Sequence, residues 1–237
     1  MNILAGPILF IRAVILLLGS GKLIKLSFIP GIVSCISTIG IYVLLDQNFE
    51  WIAQFIPGLL ALTQNFGVFG SLISGILTLL LAPFVVMLLA LPLCEPIAAE
   101  IDSQQGGEEV EQGFIQGIIS GLMFSIKLIL LGLSVSLVLT ATAIIPVIGL
   151  FTGLFNLCVW TPLIVSLDTT DFVFGRRAYS LSQRFKILLK RPLNTISIGL
   201  LSAPLLATPF LNLIGAPIVV IMGTLYARQL ETDLGDK

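Results

Sequence analysis

The composition of this 237-residue chain excludes a soluble globular domain. Hydrophobic residues make up 57% of the chain, charged residues make up only 11%, and the mean hydropathy is +1.09. A typical soluble domain is about 25% charged, so this chain has too little polar surface to cover a soluble globule. We therefore expect an all-α polytopic integral membrane protein.

The residue types that are missing or scattered exclude several kinds of site. The chain contains no histidine, which excludes histidine-dependent nucleophilic catalysis and histidine-ligated metals. A formal net charge of −1 does not favour nucleic-acid binding. We expect no enzyme activity, no metal and no cofactor. Three cysteines lie in apolar runs without metal-ligand spacing and are interpreted as small buried side chains: Cys35, Cys94 and Cys158.

The N-terminal part of the chain predicts a surface helix followed by a membrane span. Residues 3–18 are apolar apart from Arg12 and are shorter than the roughly 20 residues that a span needs, so we expect an interfacial helix. Residues 26–45 carry no charge before Asp46 and predict the first full span.

Residues 66–99 predict a second full span that is longer than the hydrocarbon layer. Either Pro83 and Pro92 kink this helix, or it stays long and projects beyond the bilayer. We favour the long helix, whose end would carry three acids into water: Glu95, Glu100 and Asp102.

The C-terminal half predicts two partly inserted helical hairpins. Residues 118–167 are apolar except for Lys127, with a turn near Pro146. Residues 193–227 are uncharged but interrupted by three prolines, which favours two half-helices with a tip near residues 209–212. Irregular backbone at membrane depth must be packed in protein or line a wet cavity, so this hairpin implies tight packing or an aqueous path.

Residues 168–192, between the two hairpins, predict a basic amphipathic surface helix with Ser180 as its N-cap. Its bases would either bind anionic lipid or concentrate anions near a pore mouth. The excess of lysine and arginine on this side predicts that it is cytoplasmic, together with both termini. The arginines expected to bind lipid or attract anions are Arg176, Arg177, Arg184 and Arg191.

A small-residue turn before the first span is the main candidate anion site. Backbone N–H groups at a helix start, next to lysines, bind anions. The alternative is a flexible turn with lysines at the membrane interface. The turn comprises Gly19, Ser20, Gly21, Lys22 and Lys25.

Four further residues are candidates for a pore or for ion coupling. Lys127 would either need an anionic partner deep in the membrane or reach the interface with its long side chain. Glu95 and Glu100 are coupling carboxylates or simple helix-end groups. Asn212 at the hairpin tip would cap the following half-helix or contact a permeant ion.

The C-terminal third resembles the CysZ-type sulfate permease family of the etoposide-induced-protein-like superfamily, as a divergent member. The resemblance rests on Asp171-Phe172-x-x-Gly175-Arg176-Arg177-x-x-Ser180-x-x-x-Arg184, on Pro209-Phe210-Leu211-Asn212-Leu213 and on Gly223-Thr224. Ala98-Ala99-Glu100-Ile101-Asp102 is similar to the family's Ala-Glu-x-x-Glu segment.

The resemblance implies a bacterial inner-membrane protein that takes up sulfate for cysteine synthesis, with two full spans and two partly inserted helix pairs. It also implies a sulfate site in the turn at residues 19–25, where two spaced lysines stand in place of the family's paired arginines. We expect membrane lipids and further copies of the chain as partners, because partly inserted helices need protein neighbours. The alternative function is a non-transporting membrane scaffold.

Overall fold

The computed structural model describes residues 5–49, 51, 71, 74–75, 77–78, 81, 85–86, 88–107, 114–142, 146–208 and 211–235. All regular structure in these residues is helical, as the composition predicts. A 3₁₀ turn (Leu91–Cys94) precedes α3, and a π turn (Asn156–Trp160) joins α5 to α6. The helices are α1 (Ala5–Gly19), α2 (Gly21–Gln47), α3 (Glu95–Gln104), α4 (Phe114–Ala141), α5 (Pro146–Phe155), α6 (Thr161–Phe174), α7 (Leu181–Leu188), α8 (Pro192–Ala207) and α9 (Leu211–Gly235).

Ser20 alone separates α1 from α2. Its backbone is extended, and its hydroxyl accepts a hydrogen bond from the Leu23 N–H at 3.4 Å, so it caps the start of α2. The first long helix therefore begins five residues before the predicted residue 26. Lys22 and Lys25 lie in its first two turns.

The predicted span at residues 66–99 falls mostly outside the described residues, and its described end is not one continuous helix. The chain turns at Ala90 and forms the 3₁₀ turn around Pro92 before α3 begins at Glu95. Proline lacks an N–H and clashes with the preceding turn, so the kink at Pro92 replaces the long projecting helix that we favoured. Of the three acids predicted to reach water, Asp102 is only 2% exposed, whereas the Glu100 side chain is partly exposed.

Helix α4 pairs with a continuous α5–α6 helix to form the first hairpin. The π turn keeps this second arm continuous: the Thr161 N–H donates to the Asn156 carbonyl, five residues back, immediately before Pro162. The arm continues to Phe174 rather than ending at the predicted residue 167. The extension is polar, yet Asp168 within it is buried. The Asp168 carboxylate accepts a hydrogen bond from the Ser125 hydroxyl of α4 at 2.7 Å, which satisfies it away from water.

Among the described residues, three helices are long and apolar enough to cross a membrane, judged by length and composition: Gly21–Gln47, Ile119–Leu139 and Ile148–Phe174. The first corresponds to the predicted span at residues 26–45. The other two are the arms of the hairpin for which partial insertion was predicted, so each arm has the length for a full crossing. The burial predicted for the cysteines holds for Cys94, whereas Cys35 is half-buried and Cys158 is exposed.

Helix α9 forms the centre of the molecule. It contacts α1, α2, α3, α6 and α8, and residues 215–227 are all buried. Gly223 of α9 lies against the backbone of Thr169, and Gly199 of α8 lies against the backbone of Pro162, so these helices pack at close range. The sequence left two alternatives for the C-terminal hairpin, tight packing or an aqueous path. The described part of α9 shows tight packing. The predicted tip begins at Pro209 and Phe210, outside the described residues, and Asn212 lies in the first turn of α9.

Candidate functional site

Helix ends from distant parts of the sequence meet at one charged end of the molecule. The start of α2 contacts α3 through Lys22 and Glu100, and the start of α8 contacts the end of α9 through Arg191 and Asp233. The residues that follow α6 contact both α3 and α9. The prediction that the bases share one face of the protein agrees with these contacts.

A buried carboxylate, Asp102, lies at the centre of this charged end. Three guanidinium groups pair with it at 3.4 Å, from Arg176, Arg177 and Arg228. Glu231 shares two of these arginines, at 2.8 Å from the Arg177 Nε and 2.9 Å from the Arg228 Nη1. We call these five residues the Asp102 cluster. Because its acids and bases are spread over three segments, the cluster ties α3, α9 and the end of α6 together.

Glu95 lies beside the Asp102 cluster and outside the three candidate spans. Its Oε1 is 3.4 Å from the Arg176 Nε, and its side chain is mostly buried. Burial raises the pKa of Glu95 to about 7, with a smaller opposing effect from the charge of Arg176. This carboxyl group therefore gains and loses its proton close to neutral pH.

Arg184 does not face the membrane surface as the predicted amphipathic helix requires. The expected N-cap is present: Ser180 and Gln183 form a reciprocal capping box at the start of α7. However, the Arg184 side chain is buried, pairs with Asp171 and lies 4.2 Å from the centre of the Phe124 ring. Burial lowers its pKa to about 10. Arg176 is equally buried, so neither arginine is placed to bind lipid headgroups; acids on α3 and α6 hold them inside the protein instead.

The turn at residues 19–25 is open to its surroundings. Nothing in the described structure lies within 4 Å of a Cβ built on Gly19 or Gly21. Lys22 donates to Glu100, and this hydrogen bond is the largest of the effects that lower the pKa of Glu100. Lys25 is exposed and has no ion pair with any described residue. The two lysines therefore differ, since Lys22 is already partnered and Lys25 remains available to an anion.

The other predicted site residues are not brought to this turn. Lys127 is exposed on α4. Arg191 pairs with Asp233 at 2.7 Å, and both side chains are more than two-fifths exposed. Asn212 starts α9 at the opposite end from Arg228. Of the four pore or coupling candidates, only Glu95 and Glu100 lie at the charged end.

Sequence reasoning did not select four charged residues whose side chains the structure shows in polar contacts: Arg228 and Glu231 of the Asp102 cluster, and Asp168 and Asp171 of α6. Arg228 and Glu231 stand three residues apart near the end of α9 and look like an exposed helical pair in the sequence. Asp168 and Asp171 looked like the polar start of a surface segment. The available signal was their spacing: Asp168, Asp171 and Gly175 fall on one helical face that continues the apolar arm.

The comparisons with known proteins agree with this architecture. The comparison with curated proteins returned no match. A family model described as sulfate transporter CysZ/etoposide-induced protein 2.4 matches residues 9–217, from within α1 to within α9. The match covers well over half of the chain, including the turn at residues 19–25 and most of the charged end. This multi-pass helical membrane protein belongs to the family of sulfate transporter CysZ and etoposide-induced protein 2.4.

Proposed function

We propose that this protein takes up sulfate, or a related small oxyanion, across a bacterial inner membrane and so supplies cysteine synthesis. The family match over residues 9–217 carries the proposal, because it spans all three candidate membrane helices. Uptake would proceed through a channel or be driven by an ion gradient, without covalent chemistry on the anion. By the positive-inside rule the charged end is the cytoplasmic end.

The geometry of the turn at residues 19–25 supports an anion site there. The first amides of α2 have no intrahelical partner, because the carbonyls that would accept from them lie before the helix begins. Ser20 satisfies the Leu23 amide, which leaves those of Gly21 and Lys22 for a ligand. Lys25, which has no ion pair with a described residue, adds a positive charge one turn later. Backbone amides and a lysine together replace the water that an oxyanion loses on binding.

The surface of the described helices favours lipid and further copies of the chain as partners. Large apolar side chains are exposed along α1, α2, α4 and α5, among them Ile15, Phe28, Leu137 and Phe151, each at least 64% exposed. Such surface needs lipid or protein against it. We propose a homo-oligomer in the membrane.

Flux of labelled sulfate into proteoliposomes tests the proposal. We expect wild-type flux well above that of empty vesicles. Lys25→Gln should reduce the flux about tenfold, the effect of losing one charge-assisted hydrogen bond. Lys22→Gln should reduce it less, because Lys22 already pairs with Glu100.

Lys186→Gln is the matched control, since it removes one exposed positive charge from α7 without touching the turn. Its flux should equal that of the wild type at moderate salt. Wild-type flux no higher than that of empty vesicles would contradict the proposal and favour the non-transporting scaffold. Equal losses in Lys25→Gln and Lys186→Gln would contradict the placement of the anion at the turn.

A further inference from the structure

A cleft at the charged end lies apart from the turn at residues 19–25. It is a shallow cleft, partly open to solvent, and it lies where the 3₁₀ turn, α3, α4 and the end of α6 meet. Glu95 lines it from α3, Gly121 from α4, and Asp171 and Arg176 from α6 and the residues after it. Three separate stretches of the chain thus converge on one concave, charged surface.

Arg176 is the lining residue with unused binding capacity. Its side chain is only 9% exposed. The Nε donates to the Phe172 carbonyl at 2.6 Å and lies near Glu95, and the Nη1 lies near Asp102. The Nη2 is buried and has no hydrogen-bond partner among the described residues. A buried donor without a partner is costly, so this nitrogen needs a hydrogen-bond acceptor, either water or a ligand, that the described protein atoms do not supply.

Arg176 pairs with two acids, Glu95 and Asp102, and both contacts are long at 3.4 Å. Asp102 is shared among three arginines, so it offsets only part of the charge of Arg176. Asp171 is already paired with Arg184. Glu95 is the remaining acid that lines the cleft. Burial raises its pKa to about 7, so part of the Glu95 population is protonated and uncharged at neutral pH. The neighbouring Cys94 is also buried, and burial raises the pKa of its thiol above the ordinary value, so the thiol keeps its proton.

Gly121 provides room opposite these charges. Gly121 lines the cleft, and a Cβ built on it meets no described atom within 4 Å. A larger side chain at this lining position is therefore accommodated without a collision at its Cβ, and we expect it to narrow the cleft. This gives a way to fill the cleft without breaking the ion pairs around it.

We propose that this cleft is a second binding site for a small oxyanion, in which the anion binds the guanidinium group of Arg176 and displaces the Glu95 carboxylate from it. Guanidinium binds oxyanions such as sulfate through paired hydrogen bonds, and the free Nη2 supplies one of them. The identity of the anion as sulfate rests on the proposed function; the position of the site does not.

Equilibrium binding of sulfate to purified protein in detergent tests the site. The measurement uses the Lys22→Gln/Lys25→Gln double variant, which lacks the lysines of the turn. This variant should still bind sulfate. Adding Gly121→Leu should weaken the remaining binding at least about tenfold by filling the cleft. Adding Glu95→Gln should strengthen it about threefold or more, because the competing carboxylate is gone.

Gly153→Leu is the matched control, because Gly153 also has open space around its Cβ position but lies in α5, outside the cleft. In the double variant it should leave sulfate binding unchanged. The inference is overturned if the double variant binds no sulfate, or if Gly121→Leu and Gly153→Leu have the same effect. Absence of flux in wild-type proteoliposomes would remove the proposed transport function while leaving this binding result standing.

Discussion

At the scale of single residues, Asp102 has the largest structural role among the charged side chains described. It is almost fully buried, and it pairs with arginines that lie about 75 and 125 positions away in the sequence. A buried ion pair contributes little compared with an apolar pair of the same size. Removing one partner is different, because it leaves like charges buried together without compensation.

Asp102→Asn should therefore destabilise the protein strongly. The substitution keeps the size of the side chain but leaves three guanidinium groups without their shared carboxylate, at a cost of roughly 3 kcal/mol or more in the free energy of unfolding. The measurement is the temperature at which half of the detergent-solubilised protein loses its monodisperse peak in size-exclusion chromatography.

Asp46→Asn is the control for this change, since Asp46 is exposed at the far end of α2 and forms no ion pair with a described residue. It should leave the melting temperature within about a degree or two of the wild type, as surface substitutions usually do. Equal melting temperatures for the two variants would show that the Asp102 cluster does not hold the charged end together.

The sequence predicts the members of the charged end better than their pairing. A lysine, arginine or carboxylate in a chain this apolar is conspicuous, so Lys22, Glu95, Glu100 and the arginines after α6 were all identified as candidates. Which acid meets which base depends on how α3 and α9 pack, and a single sequence does not contain that information. For this reason Arg176 and Arg184 were predicted at a lipid-facing surface but are buried.

At the scale of helices, small residues control how closely α8 and α9 approach α6. A Cβ on Gly199 would overlap the carbonyl group of Pro162, and a Cβ on Gly223 would overlap that of Thr169. Both obstacles are backbone atoms of a helix, which cannot move aside as the end of a flexible side chain can. Ser166 adds a hydrogen bond across the same interface, to the Thr195 carbonyl at 2.7 Å.

Gly199→Ala should weaken the packing of α8 against α6. We expect a loss of roughly 1–3 kcal/mol in the free energy of unfolding, the usual cost of overpacking a close contact. Gly40→Ala is the comparison, because a Cβ at Gly40 of α2 meets no described atom within 4 Å. Thermal melting of the two variants in the same detergent measures the difference. A Gly40→Ala variant as unstable as Gly199→Ala would contradict the close-approach explanation.

Helix positions were easier to predict than helix ends. Apolar runs locate α2, α4 and α8, and Ser180 was recognisable as the N-cap of α7 because serine caps helices with its hydroxyl. The π turn before Pro162 was not predicted, since its only sequence signal is a proline that normally ends a helix. The continuation of α6 to Phe174 was missed for a related reason: its polar residues are satisfied by other helices rather than by water.

At the scale of the whole molecule, charge is distributed very unevenly between the two ends. The charged end contains every ion pair found among the described residues. The end of α2 contributes Asp46 to the opposite end, and the turn between α8 and α9 is uncharged. The lysines and arginines of these ion pairs thus lie at one end, and by the positive-inside rule such an excess of positive residues marks the cytoplasmic side.

The two ends of the C-terminal hairpin should be accessible from the same side of the membrane. Thr195 of α8 bonds to Tyr226 of α9 at 2.9 Å, so the start of one arm lies beside the end of the other. In a variant with its three cysteines replaced by alanine, Lys190→Cys and Gln229→Cys should react with a membrane-impermeant maleimide from one side only, the same for both.

Asp46→Cys provides the opposite reference, because α2 is 27 residues long and so spans about 40 Å from the charged end. It should react from the other side. If Lys190→Cys and Gln229→Cys reacted from opposite sides, the antiparallel arrangement of α8 and α9 would not hold in the membrane.

The central position of α9 has a consequence for biosynthesis. A ribosome makes α1, α2, α3, α6 and α8 before it makes α9, so the nascent chain must leave these helices in the bilayer without the helix that fills the space between them. Their final arrangement is thus reached only after α9 has left the ribosome. Until then, lipid or the insertion machinery must shield the polar groups that α9 later contacts, such as the carboxylate of Asp102, which pairs with Arg228.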